Sequence, residues 1–260
     1  MQTQKPSFLN FTVDHMTMIL KPEMYKVAYV IFRNVLGVTP EDLIYEKRKE
    51  WQPGQGEQSM TFAAAVGDTS WDNKNSDVQF NKTVIAIVQP TEPKNQKSHV
   101  RQMLNEHSAA VHWQHIALRC PDLLAFHEHA LARGVNFITP LLRDEDEDVI
   151  QVFTGEWFFP GSPPSGVFFE FVQRNPTDSM LKRVEERNRE TLFRDKTFLG
   201  LYSEKETEYQ MNKVTPFVDF ELFDLLSEKI GDKHLYEITE KEVKEMDSMM
   251  LEYAANKSGK

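Results

Sequence analysis

One pattern occurs twice in this chain, about 100 residues apart, and few folds accommodate it. In the first copy, an alternating stretch rich in Phe, Val, Thr, Met and Ile, Phe8–Leu20, reads as a strand. Pro22 suits a first helical turn, apolar residues recur at Tyr25, Ala28, Tyr29, Phe32 and Leu36, and Gly37 supplies the stop. Three strand-like stretches follow at Leu43–Trp51, Met60–Val66 and Thr83–Val88, parted by turn-forming residues. The second copy has a strand at Val111–Arg119 and a helix that opens at Pro121-Asp122 and closes at Arg133-Gly134-Val135. Strands at Asn136–Thr139, Val149–Phe159 and Gly166–Gln173 complete it. Two strand–helix–strand–strand–strand units are therefore expected, at 8–95 and 108–175.

From Pro176 the composition turns charge-rich and helix-periodic. Ser179–Phe193, Phe217–Ile230 and Glu240–Ala254 are expected to be amphipathic helices, so that 176–260 forms a helical extension on the core. Hydrophobic residues make up 40% and charged residues 27% of the 260, which fits a folded globular chain. A formal net charge of −10 opposes binding to a phosphate backbone, so nucleic acid is not an expected partner. The amino-terminal stretch lacks the basic lead and apolar run of a secretory signal, and no segment approaches a membrane span; neither export nor a membrane partner is expected. The single cysteine, Cys120, rules out an intramolecular disulfide and a cysteine-based zinc cluster, and suits a reducing, cytoplasmic setting.

Eight histidines are present. His127 and His129 are two apart on the second helix and so lie on different faces; His99, His107 and His234 stand in polar surroundings and are expected to be solvated. His15 and His115 differ, because each lies in the first strand of its own unit, within VDHMTMIL and WQHIALRC. If the two units pair about a pseudo-twofold axis, these imidazoles converge; taken singly, a histidine in such a place is more often a hydrogen-bonded core residue. Glu170 stands in GVFFEFV, where a carboxylate among Val167, Phe168, Phe169 and Phe171 needs a cation or a metal, the other readings being a salt bridge to a buried arginine or an outward-facing place on an edge strand. Two neutral imidazoles and one carboxylate form the facial triad of Fe(II) oxygenases, which leaves room for a bidentate 2-oxo acid and O2. Strand parity puts Phe168 and Val172 on the face of Glu170, and Gln151 with Phe153 on one face of the preceding strand. By the same parity Gln114 points away from His115.

The stretches VDHMTMIL, VHWQHIALRCPDLLAFHEHALARGVNFITP, DVIQVFTGEW and GVFFEFVQR resemble the catalytic half of the 4-hydroxyphenylpyruvate dioxygenase and 4-hydroxymandelate synthase family, over roughly residues 8 to 174. The resemblance implies an α+β, vicinal-oxygen-chelate fold of paired βαβββ modules forming an open barrel, with C-terminal helices. It implies Fe(II) on His15, His115 and Glu170, a catalytic Gln151 that also contacts substrate, and further substrate contacts at Phe153, Phe168 and Gln114. The segment TFLGLYSEKETEY resembles the family's closing C-terminal helix. The implied activity is oxidative decarboxylation of an arylpyruvate-like 2-oxo acid with O2.

Departures from the family pattern bear on substrate choice. The family's serine on the third strand gives way to Ala63-Ala64-Ala65, its Asn-Glu-Pro motif reads Val88-Gln89-Pro90, and a loop is shortened before residues 143–148, whose charge run reads as a solvated turn. No counterpart of the family's preceding, non-catalytic module pair is expected, and contacts of a homo-oligomer would differ accordingly. Two other functions stay open: an extradiol catechol dioxygenase, for which His112 is the nearby acid–base candidate, and a non-catalytic small-molecule-binding protein of the same fold.

Overall fold

The computed structural model describes residues 5–50, 52–67, 82–144, 148–188 and 197–258. By internal contacts the chain divides into two compact units. The N-proximal unit comprises residues 13–118 and 205–212; the C-proximal unit comprises residues 1–12, 119–204 and 213–260. Among the described residues, no helix is long and apolar enough to cross a membrane.

The N-proximal unit runs β1 (Thr12–Leu20), α1 (Pro22–Asn34), β2 (Leu43–Lys49), β3 (Gln58–Val66), β4 (Thr83–Val88), α2 (His99–Glu106) and β5 (Val111–Arg119). Its strands lie in the order β2-β3-β4-β1-β5. β1 and β4 are parallel, while β4 with β3 and β3 with β2 are antiparallel. A parallel pair needs a crossover connection, and α1 with the β2–β3 hairpin supplies it. Paired residues across adjacent strands share a face. Register therefore puts His15, Val84 and Ala65 on one face, with Thr17, Ala86 and Ala63. Met18, Ile87 and Phe62 are out of phase by one residue and lie on the other face, which α1 covers. Leu20, Tyr25, Phe32, Phe62, Ala64 and Ile87 form the core beneath the helix.

The C-proximal unit continues with α3 (Leu123–Leu131), β6 (Leu142–Asp144), β7 (Val149–Glu156), β8 (Phe168–Arg174) and α4 (Asp178–Asn188). There follow α5 (Thr197–Gln210), whose last turns belong to the N-proximal unit, then α6 (Phe220–Ile230) and α7 (Glu240–Ser258). β6-β7-β8 form an antiparallel meander. Asp122 caps α3 by accepting from the amide of Ala125 at 3.0 Å. The ring of Phe126 on α3 lies 4.1 Å from that of Phe171 on β8, which marks the helix-facing side of this meander. In chain order β5-α3-β6-β7-β8 repeats β1-α1-β2-β3-β4. This double βαβββ order is that of the vicinal-oxygen-chelate fold, as the sequence resemblance implies.

Several local expectations are corrected. The strand expected at Asn136–Thr139 is absent: Phe137 makes one bridge to Thr154, the Thr139 hydroxyl accepts from the Phe153 amide at 3.3 Å, and the paired strand is β6 instead. Pro140 follows immediately and lacks the N–H that would extend pairing, so the ladder starts beyond it. Arg143 and Asp144 of the expected charged turn are thus in a strand, and residues 145–147 lie outside the described residues. α2 was not expected; Ser98 caps it through the amide of Arg101 at 3.3 Å. Helix α6 begins at Phe220 rather than Phe217, because residues 215–218 run extended beside the end of β7, where the Phe217 amide meets the Glu156 carbonyl at 2.6 Å. Trp51 and residues 189–193 of two expected elements lie outside the described residues.

Candidate metal centre

His15 is the fourth residue of β1 and His115 the fifth of β5, both in the N-proximal unit. Their Nε2 atoms are 3.3 Å apart, and the rings meet edge to face with centroids 5.4 Å apart. His115 is buried, while the His15 side chain is 16% exposed. The Nδ1 atoms are engaged by the preceding residue of each strand. Asp14 Oδ1 lies 3.2 Å from His15 Nδ1, and Gln114 Oε1 lies 3.2 Å from His115 Nδ1. Both are acceptors, so each selects the Nδ1–H tautomer and leaves Nε2 with its lone pair. Two such nitrogens at 3.3 Å can share one cation or one proton. The Thr17 hydroxyl also reaches His115 Nε2, at 2.9 Å.

The donor geometry fits a metal ion. A divalent first-row ion holds an imidazole nitrogen at about 2.0–2.1 Å, so two nitrogens on one ion lie at most about 4.2 Å apart. The observed 3.3 Å falls within that limit. Oriented Nδ1–H groups hydrogen-bonded to carboxylate or carboxamide oxygens are the usual support for such ligands.

Glu170 belongs to the C-proximal unit, in the middle of β8, and is 3% exposed. Phe153 stands opposite it on β7, and Gln151 stands opposite Val172. Gln151, Phe153, Phe168 and Val172 therefore share its face, as parity predicts, on the side away from Phe171 and α3. Phe153 and Phe168 pack edge to face at 6.3 Å and form a cluster with Leu142 and Leu201, the latter on α5. Gln151 is half-buried.

Asp14 and Thr17 are site residues that sequence reasoning missed. The signal was available: a polar residue precedes the histidine in each copy, inside an otherwise apolar strand. Gln114 does start from the opposite side of the pleat. Its carboxamide is nevertheless long enough to return to the Nδ1 edge of the neighbouring ring, so it braces His115. His112 is occupied elsewhere: its Nδ1 meets the Trp113 carbonyl at 2.5 Å and its ring stacks on His107 at 4.6 Å. His99 is not solvated, as expected, but buried, with its Nδ1 and backbone amide 3.2 and 2.6 Å from Glu206 Oε2. Cys120 is buried, and burial with the nearby Asp122 charge pushes its thiol up to about 12, so it offers no thiolate at neutral pH.

No family model and no curated protein matches the chain. Among solved structures, the chain is similar to a triple mutant of 4-hydroxymandelate synthase from Streptomyces coelicolor at 20% identity and a TM-score of 0.44. That match covers 69% of this chain and 54% of the synthase, so the chain spans about half of that enzyme's length. It is also similar to methylmalonyl-CoA epimerase from Mycobacterium tuberculosis, at 19% identity and a TM-score of 0.38, covering 63% of this chain and 88% of the epimerase. A Streptomyces coelicolor methylmalonyl-CoA epimerase in complex with 2-nitronate-propionyl-CoA matches at 17% identity and a TM-score of 0.39, covering 63% and 94%.

Proposed function

We propose that the protein is a non-haem Fe(II) dioxygenase that oxidatively decarboxylates an arylpyruvate-like 2-oxo acid with O2, and that His15, His115 and Glu170 hold the iron. The observation that carries this reading is the pair of Nε2 atoms 3.3 Å apart, each on a ring whose Nδ1 faces a fixed acceptor. Each of the three residues offers one ligand atom, and two imidazoles with one carboxylate are the donor set of facial-triad oxygenases. Bound Fe(II) supplies the redox centre at which a chelating 2-oxo acid and O2 react.

The chain's own residues hold and orient. Asp14 and Gln114 keep the Nδ1 protons in place, so the donor atoms are presented in one orientation. A carboxylate as buried as Glu170 is stable only with a cation or strong hydrogen bonds, because its desolvation costs several kcal/mol. Gln151, on the face of Glu170, hydrogen-bonds substrate or product, and Phe153 with Phe168 forms an apolar wall against an aryl group. Gln114 serves the substrate only through the His115 ring that it braces. The acidic chain, with one inert cysteine, suits the cytoplasm.

The test is anaerobic addition of Fe(II) together with a panel of arylpyruvates and branched aliphatic 2-oxo acids. A visible metal-to-ligand charge-transfer band is expected with at least one arylpyruvate, followed on aeration by equal amounts of O2 consumed and CO2 released. Glu170→Gln and His115→Ala should each remove the band and the turnover. Iron that binds without any band, with O2 uptake at background across the panel, would overturn the assignment.

A further inference from the structure

The sheet of the N-proximal unit carries a cavity on the face opposite the histidines. It measures about 880 Å3 and lies between α1, β2 and β3. Small-molecule sites commonly span about 300–1,000 Å3, so this volume suits a compact ligand rather than a stray water. Phe62, which register puts on the face away from His15, forms the floor and is 4% exposed. The rings of Tyr25 and Tyr29 stand edge-on to it at 5.3 and 5.6 Å. Tyr29 is 38% exposed at the mouth, so one aromatic wall is open to an incoming ring.

The polar groups are sorted by charge. Tyr25 and Ser59 share a hydroxyl–hydroxyl bond of 2.7 Å, and the Gln89 carboxamide donates to the Ser59 carbonyl at 2.7 Å. The lining carboxylate, Glu46, is already bound to Arg48 at 2.6 Å. The lining ammonium, Lys26, has no ion-pair partner among the described residues.

We propose that this cavity binds a small aromatic anion, its ring against Phe62 and Tyr29 and its acid group on Lys26. A ring laid against the open Tyr29 wall, above the Phe62 floor, gains burial and offset or edge contacts, while the acid meets the cation that has no internal partner. The site shares no residue with the histidine pair, so it stands whether or not the dioxygenase reading does.

The experiment is calorimetric titration of the full chain with 2-naphthoate, and with 2-naphthylmethylammonium as the cation of similar shape. Saturable, equimolar binding of 2-naphthoate is expected, with the cation about tenfold weaker or worse. Lys26→Glu and Tyr29→Ala should each weaken 2-naphthoate by about tenfold while the far-ultraviolet circular dichroism is unchanged, since both side chains are exposed. His15→Ala should leave the affinity as it was. Absence of binding, equal or tighter binding of the cation, or affinity that follows His15→Ala but not Lys26→Glu would each overturn the proposal.

Discussion

Helices α1 and α3 are the helices of two copies of one module, yet they are buried to different extents. α3 buries Leu123, Leu124, Phe126, His127 and Ala130 in nine residues, whereas α1 buries only Tyr25 and Phe32 in thirteen. Val27, Val30 and Ile31 of α1 are 53%, 54% and 45% exposed. The difference comes from segments outside the repeat. Phe8 packs on His129 at 5.4 Å, Phe11 on Phe126 at 5.2 Å, and Arg133 just beyond α3 binds Asp247 of α7 at 2.6 Å. No comparable segment lies over the outer side of α1 among the described residues, and the aromatic cavity opens beside it. A repeated topology thus specifies which face of a helix meets its sheet, but not whether the opposite face is covered.

The largest expected contrast is Leu124→Ala, which should cost about 2–5 kcal/mol in urea unfolding because it empties a fully packed position. Val27→Ala should stay within about 0.5 kcal/mol. Equal losses would mean that α1 is covered in solution.

A smaller effect tests the segment that covers the C-proximal unit. A Cβ on Gly155 would lie 2.2 Å from the Pro216 carbonyl oxygen, backbone against backbone, so Gly155→Ala should cost about 1–3 kcal/mol by the same assay. Unchanged stability would show that residues 215–217 do not lie against β7. Smaller again, Asp122→Ala should lose about 1 kcal/mol with the α3 cap. Lys21, at the equivalent place before α1, makes no side-chain cap, and Lys21→Ala should change little.

The last contrast is one of pH. Burial works to raise the pKa of Glu206, but hydrogen bonds from the His99 side chain, Gln210 and the His99 amide, with the His99 charge, outweigh it and hold the carboxyl at about 2. A folded-state pKa below the unfolded one means stability present above the ordinary glutamate range and lost as pH falls toward 2. Acid titration should show that loss in the parent chain, with the α5–α2 contact opening first in hydrogen exchange. Glu206→Gln should flatten that part of the curve. An unaltered curve would remove Glu206 from the account.

Much of the architecture was legible because it rests on local rules. Alternation marked β1, β4 and β5, Pro22 opened α1, Asp122 capped α3, and Glu170 stood out as an acid in a run of aromatic residues. α2 was illegible, because His99–Glu106 is polar by composition. Its burial depends on Val100, Met103 and Leu104, and on Glu206 more than a hundred residues away. The failure at Asn136–Thr139 has the same origin, since strand pairing is a property of two segments and Phe137 obtains only one bridge.

For the candidate site, the chain sequence by itself determined which side chains could donate to a metal and on which strand face each stands, because period-two alternation is a covalent consequence of extended backbone. Only the folded structure decided that His15 and His115 meet at 3.3 Å, that Asp14 and Gln114 orient their rings, and that His112 turns to His107 instead. Those outcomes depend on distances of a few tenths of an ångström between residues up to 100 positions apart. Close packing of two strands sets such distances, and no local preference encodes them.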